Sequence, residues 1–262
     1  MRRRAIGLAL LALLAAAPAR AEIRSSEECE AAIAADPRTA REDAAQWSRS
    51  DGGVEARVCE AAALEALGAT ATAAQLLTGL AENTSRAMPA ELRAALFEDA
   101  GRLWLLEQQP GLARQTLARA DALTPAAPAR LELSARAAAG EGDWPAALRA
   151  LDALVAAEPQ NAGAFALRAA ALRRDGQLVA AAESAETALS LSPDLPAGLF
   201  EAGAAAAERG DVAGASEAWQ TLILVHPEDP LAPMAQRNLQ RLAEDAPEPS
   251  ELRPRPRGPH RP

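Results

Sequence analysis

The sequence holds few residues of the kinds that perform covalent chemistry. It contains two cysteines, Cys29 and Cys59, and two histidines, His226 and His260. The cysteines lack metal-ligand spacing and both histidines lie far from them, so we expect no metal site. The sequence also lacks the G-x-S-x-G, Walker, H-E-x-x-H and paired C-x-x-C motifs of common enzyme classes. We therefore predict no cofactor and no catalytic residue.

The first 21 residues have the layout of a secretory signal peptide. Arg2, Arg3 and Arg4 precede an apolar run from Ala5 to Ala17, and Ala19-Arg20-Ala21 provides a small-residue cleavage site. The apolar run is shorter than a membrane-spanning helix requires. The pattern predicts export to the periplasm or beyond, with cleavage after Ala21 and no stable membrane span afterwards. Retention of this segment as an uncleaved anchor is the alternative.

Export changes what the two cysteines are expected to do. An even number of cysteines in a chain that reaches an oxidising compartment favours a disulfide. The pair Cys29 and Cys59 is therefore a predicted disulfide. Two buried free thiols are the other interpretation.

Composition indicates a helical, acidic protein. Hydrophobic residues make up 49% of the chain but aromatic residues only 3%, and tyrosine is absent. The apolar content is mostly alanine and leucine, which favour helices over strands. The net charge is −9, and loss of the arginine-bearing signal peptide would make the chain more acidic. An acidic body disfavours nucleic acid as a partner, because phosphates require a basic surface.

One sequence motif recurs along the chain with a period of about 34 residues. Each copy runs from a glycine to a proline, with alanine and leucine between: Gly142 to Pro159, Gly176 to Pro193 and Gly210 to Pro227. Glycine can adopt the positive φ that a tight turn between helices needs. Small residues also recur at the eighth and twentieth positions of each 34-residue unit. They are Gly101, Ala135, Ala169 and Gly203, and Ala113, Ala147, Ala181 and Ala215. This pattern predicts helical hairpins that pack closely.

These positions resemble the tetratricopeptide repeat (TPR) family. The match is good over residues 94–227, about half of the chain, and four successive units keep one register. The resemblance implies an all-α, right-handed solenoid of stacked helix–turn–helix repeats. It also implies a protein that binds a peptide or a partner protein without catalysing a reaction.

The segments outside the regular repeats are interpreted from their own sequences. Residues 22–53 are expected to form an N-terminal helical hairpin that caps the array. The array is expected to cover residues 54–227, about five repeats, of which the first is irregular. Residues 228–244 are predicted to form a capping helix. Residues 245–262 are rich in proline and arginine and are expected to be disordered.

In the TPR family the first helix of each repeat lines the concave binding groove. The positions that line it correspond here to Glu98, Arg102, Leu105, Leu106, Glu132, Arg136, Arg173, Arg174 and Phe200. One hypothesis is that Arg102 and Arg136 hold a carboxylate of a bound peptide as charge-assisted pairs. The alternative is that each arginine pairs with the glutamate four residues before it on its own helix.

The sequence therefore predicts a noncatalytic interaction scaffold of the cell envelope. The alternative function is an enzyme or small-solute-binding protein with a site in the irregular N-terminal third.

Overall fold

The computed structural model describes residues 23–83 and 88–244, and every regular element in that part of the chain is an α-helix. The predicted signal peptide and the predicted tail lie outside the described residues. The thirteen helices of the described part are α1 Ser26–Ala35, α2 Pro37–Ser50, α3 Gly53–Ala66, α4 Thr70–Glu82, α5 Ala90–Leu106, α6 Pro110–Asp121, α7 Pro128–Gly140, α8 Trp144–Ala157, α9 Ala162–Arg174, α10 Leu178–Leu191, α11 Pro196–Glu208, α12 Val212–Val225 and α13 Ala232–Glu244. This architecture agrees with the all-α repeat solenoid predicted from the sequence.

The described residues divide into two compact units, with the boundary between Ala69 and Thr70. The irregular first repeat that the sequence suggested is divided by this boundary, since α3 belongs to the first unit and α4 to the second. In the first unit α2 and α3 pack as a hairpin and α1 contacts both. Its core consists of Ile23, Cys29, Ala40, Ala44, Trp47, Ala56, Cys59 and Ala63.

The second unit is a row of helical hairpins. Helix α5 pairs with α6, α7 with α8, α9 with α10 and α11 with α12, and each second helix also packs against the first helix of the next pair. Helix α4 packs against α5 at one end of the row, and α13 packs against α12 at the other. Helix α13 lies within residues 228–244, the segment for which a capping helix is a prediction.

In three hairpins, a glycine with a left-handed backbone conformation follows the end of the first helix. Gly142, Gly176 and Gly210 have φ of +76°, +81° and +82°, a region that other residues enter only at a cost. Asp143 and Asp211 follow two of them, and each carboxylate accepts a hydrogen bond from the backbone N–H three residues on, at 3.1 and 2.9 Å. These caps begin the second helices α8 and α12. The recurrent sequence motif thus specifies the turn between paired helices.

Small residues allow the paired helices to approach closely. Ala113, Ala147, Ala181 and Ala215, one in each second helix, are completely buried. A Cβ atom added at Gly101 would lie 2.7 Å from the Leu117 side chain. The small residues predicted to lie at helix–helix contacts are therefore found there.

Candidate peptide-binding face

The predicted groove residues lie on the first helices of the hairpins, and their surroundings differ from one end of the row to the other. On α5, Phe97, Gly101 and Trp104 face the core. Glu98, Arg102 and Leu105 are half-buried and Leu106 is 59% exposed. Charged and apolar side chains thus share the outward side of α5.

Helix α7 repeats the acid–base spacing of α5. Glu132 and Arg136 form an ion pair along the helix, with Oε1 and Nη2 2.5 Å apart. The side chains are 35% and 55% exposed, so solvent weakens the attraction. The structure therefore shows Arg136 in the pairing within its own helix that the sequence left as an alternative. Arg102 on α5 also has an interaction partner in the structure.

The surroundings of Glu98 change the pKa of its carboxyl group. Partial burial of its side chain raises the pKa of Glu98, and the positive charge of Arg130 counteracts part of that effect. Arg130 Nη1 lies 3.6 Å from Glu98 Oε2. Together these effects leave Glu98 as a partly desolvated acid at the outward side of α5.

Arg130 is the main structural residue that the sequence analysis missed. Its side chain is only 2% exposed, although it lies in the first turn of α7. Its Nη2 donates to the carbonyl oxygens of Thr124 and Pro125 at 2.8 and 2.5 Å and to Thr124 Oγ1 at 3.1 Å. Its Nε lies 2.9 Å from Asp121 Oδ1. One guanidinium therefore fixes the loop between α6 and α7 beside Glu98.

The position of Arg130 within its repeat indicates that its side chain is buried. Arg130 occupies the third position of its repeat, and the third positions of the other regular repeats, Leu96, Ala164 and Gly198, are all buried as well. An arginine at a position that the repeat buries must find internal partners, because an unpaired buried charge is costly.

At the other end of the row, Arg173 is occupied by neighbouring carboxylates. Its Nε lies 2.8 Å from Glu201 Oε2 and its Nη1 lies 2.8 Å from Glu208 Oε1, both on α11. Burial alone would lower the pKa of Arg173, but the hydrogen bonds and charges of Glu201 and Glu208 raise it overall. Arg173 therefore links α9 to α11.

Two further predicted groove residues also have other surroundings. Phe200 is only 8% exposed, and it belongs to a core cluster with Trp219. The Trp219 indole N–H donates to the Phe200 carbonyl oxygen at 3.1 Å. Phe200 is therefore a core residue that packs among buried side chains of α11, α12 and α13 and exposes little surface to a ligand. Arg174 is exposed, and its guanidinium lies 5.7 Å from the ring centre of Trp144 on α8.

Among the predicted groove positions, those on α5 and α7 combine charged side chains with an exposed leucine. We define the α5–α7 face as Glu98, Arg102, Leu105, Leu106, Glu132 and Arg136. Within the described residues, no group of three or more metal-binding side chains comes together. No helix described in the structure combines the length and apolarity needed to cross a membrane.

No protein-family model and no curated protein sequence matches the chain. Solved structures do match. YrrB, a TPR protein with an unusual peptide-binding site, is 16% identical with a TM-score of 0.57, covering 73% of this chain and 96% of YrrB. MamA is 14% identical with a TM-score of 0.54, covering 68% of this chain and 95% of MamA.

A third match is the C-terminal part of a TPR repeat-containing protein from Cytophaga hutchinsonii. It is 15% identical with a TM-score of 0.58, and the match covers 84% of this chain and 96% of that one. The similarity extends over nearly the whole of each of these three solved chains and agrees with the hairpins, turn glycines and small residues described above. The chain therefore has the fold of a tetratricopeptide-repeat protein.

Proposed function

We propose that the chain is a noncatalytic protein-interaction scaffold whose α5–α7 face binds a peptide segment of a partner protein. The observation that carries this proposal is the exposure of Leu106 beside half-buried Leu105 and four charged side chains on the first helices of two neighbouring repeats. Interfaces combine a few apolar anchors with polar groups that fix orientation. The shared fold with YrrB, which has a peptide-binding site, supports this assignment.

The charges of the face suit a partner segment that carries a carboxylate. Arginine binds carboxylates through two parallel hydrogen bonds, and Arg102 and Arg136 occupy the same position of adjacent repeats. Arg136 already pairs with Glu132, so a ligand carboxylate would have to share or replace that contact. Because an exposed pair of this kind contributes about 1 kcal/mol or less, the exchange costs little.

We further propose that the protein works in the cell envelope, outside the cytoplasm. The signal-like sequence of the first 21 residues supports export. The bond between Cys29 and Cys59 is of the kind that persists in oxidising compartments. Fractionation of cells into cytoplasm, periplasm and membrane, with detection of the native protein, tests this location directly.

Affinity capture from detergent-solubilised envelopes tests the binding face. The wild-type chain and a double variant, Arg102→Ala with Arg136→Ala, serve as baits, and captured proteins are identified by mass spectrometry. The matched control is Arg149→Ala with Arg209→Ala, which removes two exposed arginines from outside the face. All three baits should have the same circular dichroism spectrum, and their melting temperatures should differ little, because ion pairs that solvent reaches contribute little to stability.

A partner captured by the wild type and the control, and lost with the Arg102 and Arg136 variant, supports the proposal. Direct calorimetric titration of that partner should then show the same loss. Equal capture by all three baits would place binding elsewhere on the protein. Ligand-dependent thermal stabilisation by a small molecule, without any captured protein, would instead favour a small-solute-binding function.

A further inference from the structure

Helix α1 makes little apolar contact of its own with the first unit. Among its ten residues, Cys29 is buried, Ala32 and Ile33 are half-buried, and the other seven are exposed. Ile23, just before the helix, adds one more buried side chain. A helix of this length is marginal in water without tertiary contacts. Much of what holds α1 in place must therefore come from its bond to Cys59.

The hairpin of α2 and α3 does not depend on α1 to the same degree. Helix α2 buries Ala40, Ala44 and Trp47, and α3 buries Ala56 and Ala63 among six residues. The two helices pack along each other. Their mutual contact should therefore survive the departure of α1, which would uncover part of the shared apolar face.

We propose that the Cys29–Cys59 disulfide is a redox latch that holds α1 over the α2–α3 hairpin. A thiolate of a dithiol reductant attacks one cysteine sulfur, which forms a mixed disulfide and releases the other cysteine as a thiolate. The second thiol of the reductant then displaces the remaining cysteine and closes its own disulfide. Two electrons and two protons pass from the reductant to the chain, which ends with two free thiols and an unlatched α1.

The burial of the bond adds a kinetic consequence. Cys29 and Cys59 are 4% and 3% exposed, so a reductant can reach the sulfur atoms only when α1 lifts away. The rate of reduction in the native protein therefore reports on the opening of α1. Weakening the remaining contacts of α1, for example by Ile33→Ala, should accelerate reduction by dithiothreitol. Glu30→Ala, an exposed change on the same helix, should leave the rate unchanged.

Hydrogen–deuterium exchange read by mass spectrometry tests the latch on the full chain. The oxidised protein is compared with protein reduced by dithiothreitol, and thiol counting confirms complete reduction. Exchange within residues 26–35 should accelerate by roughly 100-fold or more on reduction, as expected when a constraint across this loop is lost. Protection in α2 and α3 should persist.

The double variant Cys29→Ala with Cys59→Ala provides an independent measurement. It should show rapid exchange in α1 with or without dithiothreitol. Unchanged protection of α1 in the fully reduced wild type would overturn the proposal, because packing alone would then hold the helix. Loss of protection throughout α1, α2 and α3 would also overturn it, since the bond would then stabilise the whole unit and not α1 alone.

Discussion

Adding a single methyl group at Gly203 gives a sensitive test of the repeat packing. Gly203 lies in α11, opposite the indole ring of Trp219 in α12. A Cβ atom at this position would lie 2.5 Å from Trp219 Nε1 and 2.6 Å from its Cδ1. The ring cannot easily move away, because it is 3% exposed and its N–H donates to the Phe200 carbonyl oxygen. Gly203→Ala should therefore destabilise the second unit.

The expected loss of stability combines two destabilising effects and one stabilising effect. Overpacking a well-packed core typically costs about 1–3 kcal/mol, and about 2 kcal/mol is expected at this site. Displacing the ring also weakens the Trp219 hydrogen bond, which contributes about 1 kcal/mol. Alanine is better than glycine within a helix by about 1 kcal/mol, which offsets part of the loss. The net decrease in the free energy of unfolding should be about 2 kcal/mol.

Gly79→Ala is the matched control. Gly79 lies within α4 of the same unit, and an added Cβ would meet nothing within 4 Å. Here the helix propensity acts alone, so this variant should be more stable than the wild type by about 0.5–1 kcal/mol.

Urea denaturation followed by circular dichroism at the helix band measures both variants. With an m-value of about 2–3 kcal/mol/M, the midpoint should fall by about 0.7–1 M for Gly203→Ala and rise for Gly79→Ala. The opposite signs exclude a general effect of replacing glycine. If Gly203→Ala is as stable as the wild type, the close approach of α11 and α12 inferred from the repeat register is wrong.

Four other substitutions test separate features, each by the urea midpoint. Ala147→Leu should cost about 1–3 kcal/mol because Ala147 is completely buried, whereas Ala153→Leu on the exposed side of α8 should have little effect; equal midpoints would contradict the assigned register. Gln108 has a φ of +55°, so Gln108→Gly should stabilise the chain by about 1 kcal/mol, and a loss of stability would refute strain at this turn. Arg130→Met should cost about 2–4 kcal/mol because three oxygen acceptors lose their donor, and a neutral result would show that these bonds contribute nothing net. Burial raises the pKa of Glu98, so ionisation of Glu98 destabilises the folded chain as pH rises above the ordinary carboxyl range; Glu98→Gln should remove that part of the decline, and an unchanged pH profile would contradict it.

Much of the fold could be predicted because the turns and caps of the repeat depend on residues that are close together in the sequence. The turn glycines Gly142, Gly176 and Gly210 have the positive φ that their residue type and period implied. Asp143 and Asp211, which follow two of those glycines, cap the helices that begin after them. These features depend only on residues within one turn of each other, and a sequence displays them directly.

Features that depend on contacts between repeats could not be read in the same way. Phe200 occupies a position that lines the groove in the TPR family, yet it packs among side chains of α12 and α13 and is only 8% exposed. The partners of Arg173, Glu201 and Glu208, lie 28 and 35 residues further along the chain. Only the geometry of the stack brings such residues together. The burial of Arg130 lies between these cases, because the register marks its position as internal but does not identify its acceptors.

The same inter-repeat packing explains why the two ends of the row differ as possible binding surfaces. On α9 and α11, the positions that correspond to Glu98 and Arg102 hold Ala166, Ala170, Phe200 and Ala204, of which Ala170 is half-buried and the other three are buried. The nearby charge of Arg173 is paired with Glu201 and Glu208 of the same chain. On α5 and α7 the same positions carry charged side chains, and Leu106 is exposed beside them. A partner that needs both an apolar contact and a carboxylate-binding group would find them together on the α5–α7 face, whereas the α9–α11 end has satisfied its own groups by packing. This difference supports placing the proposed binding site on the first two regular repeats.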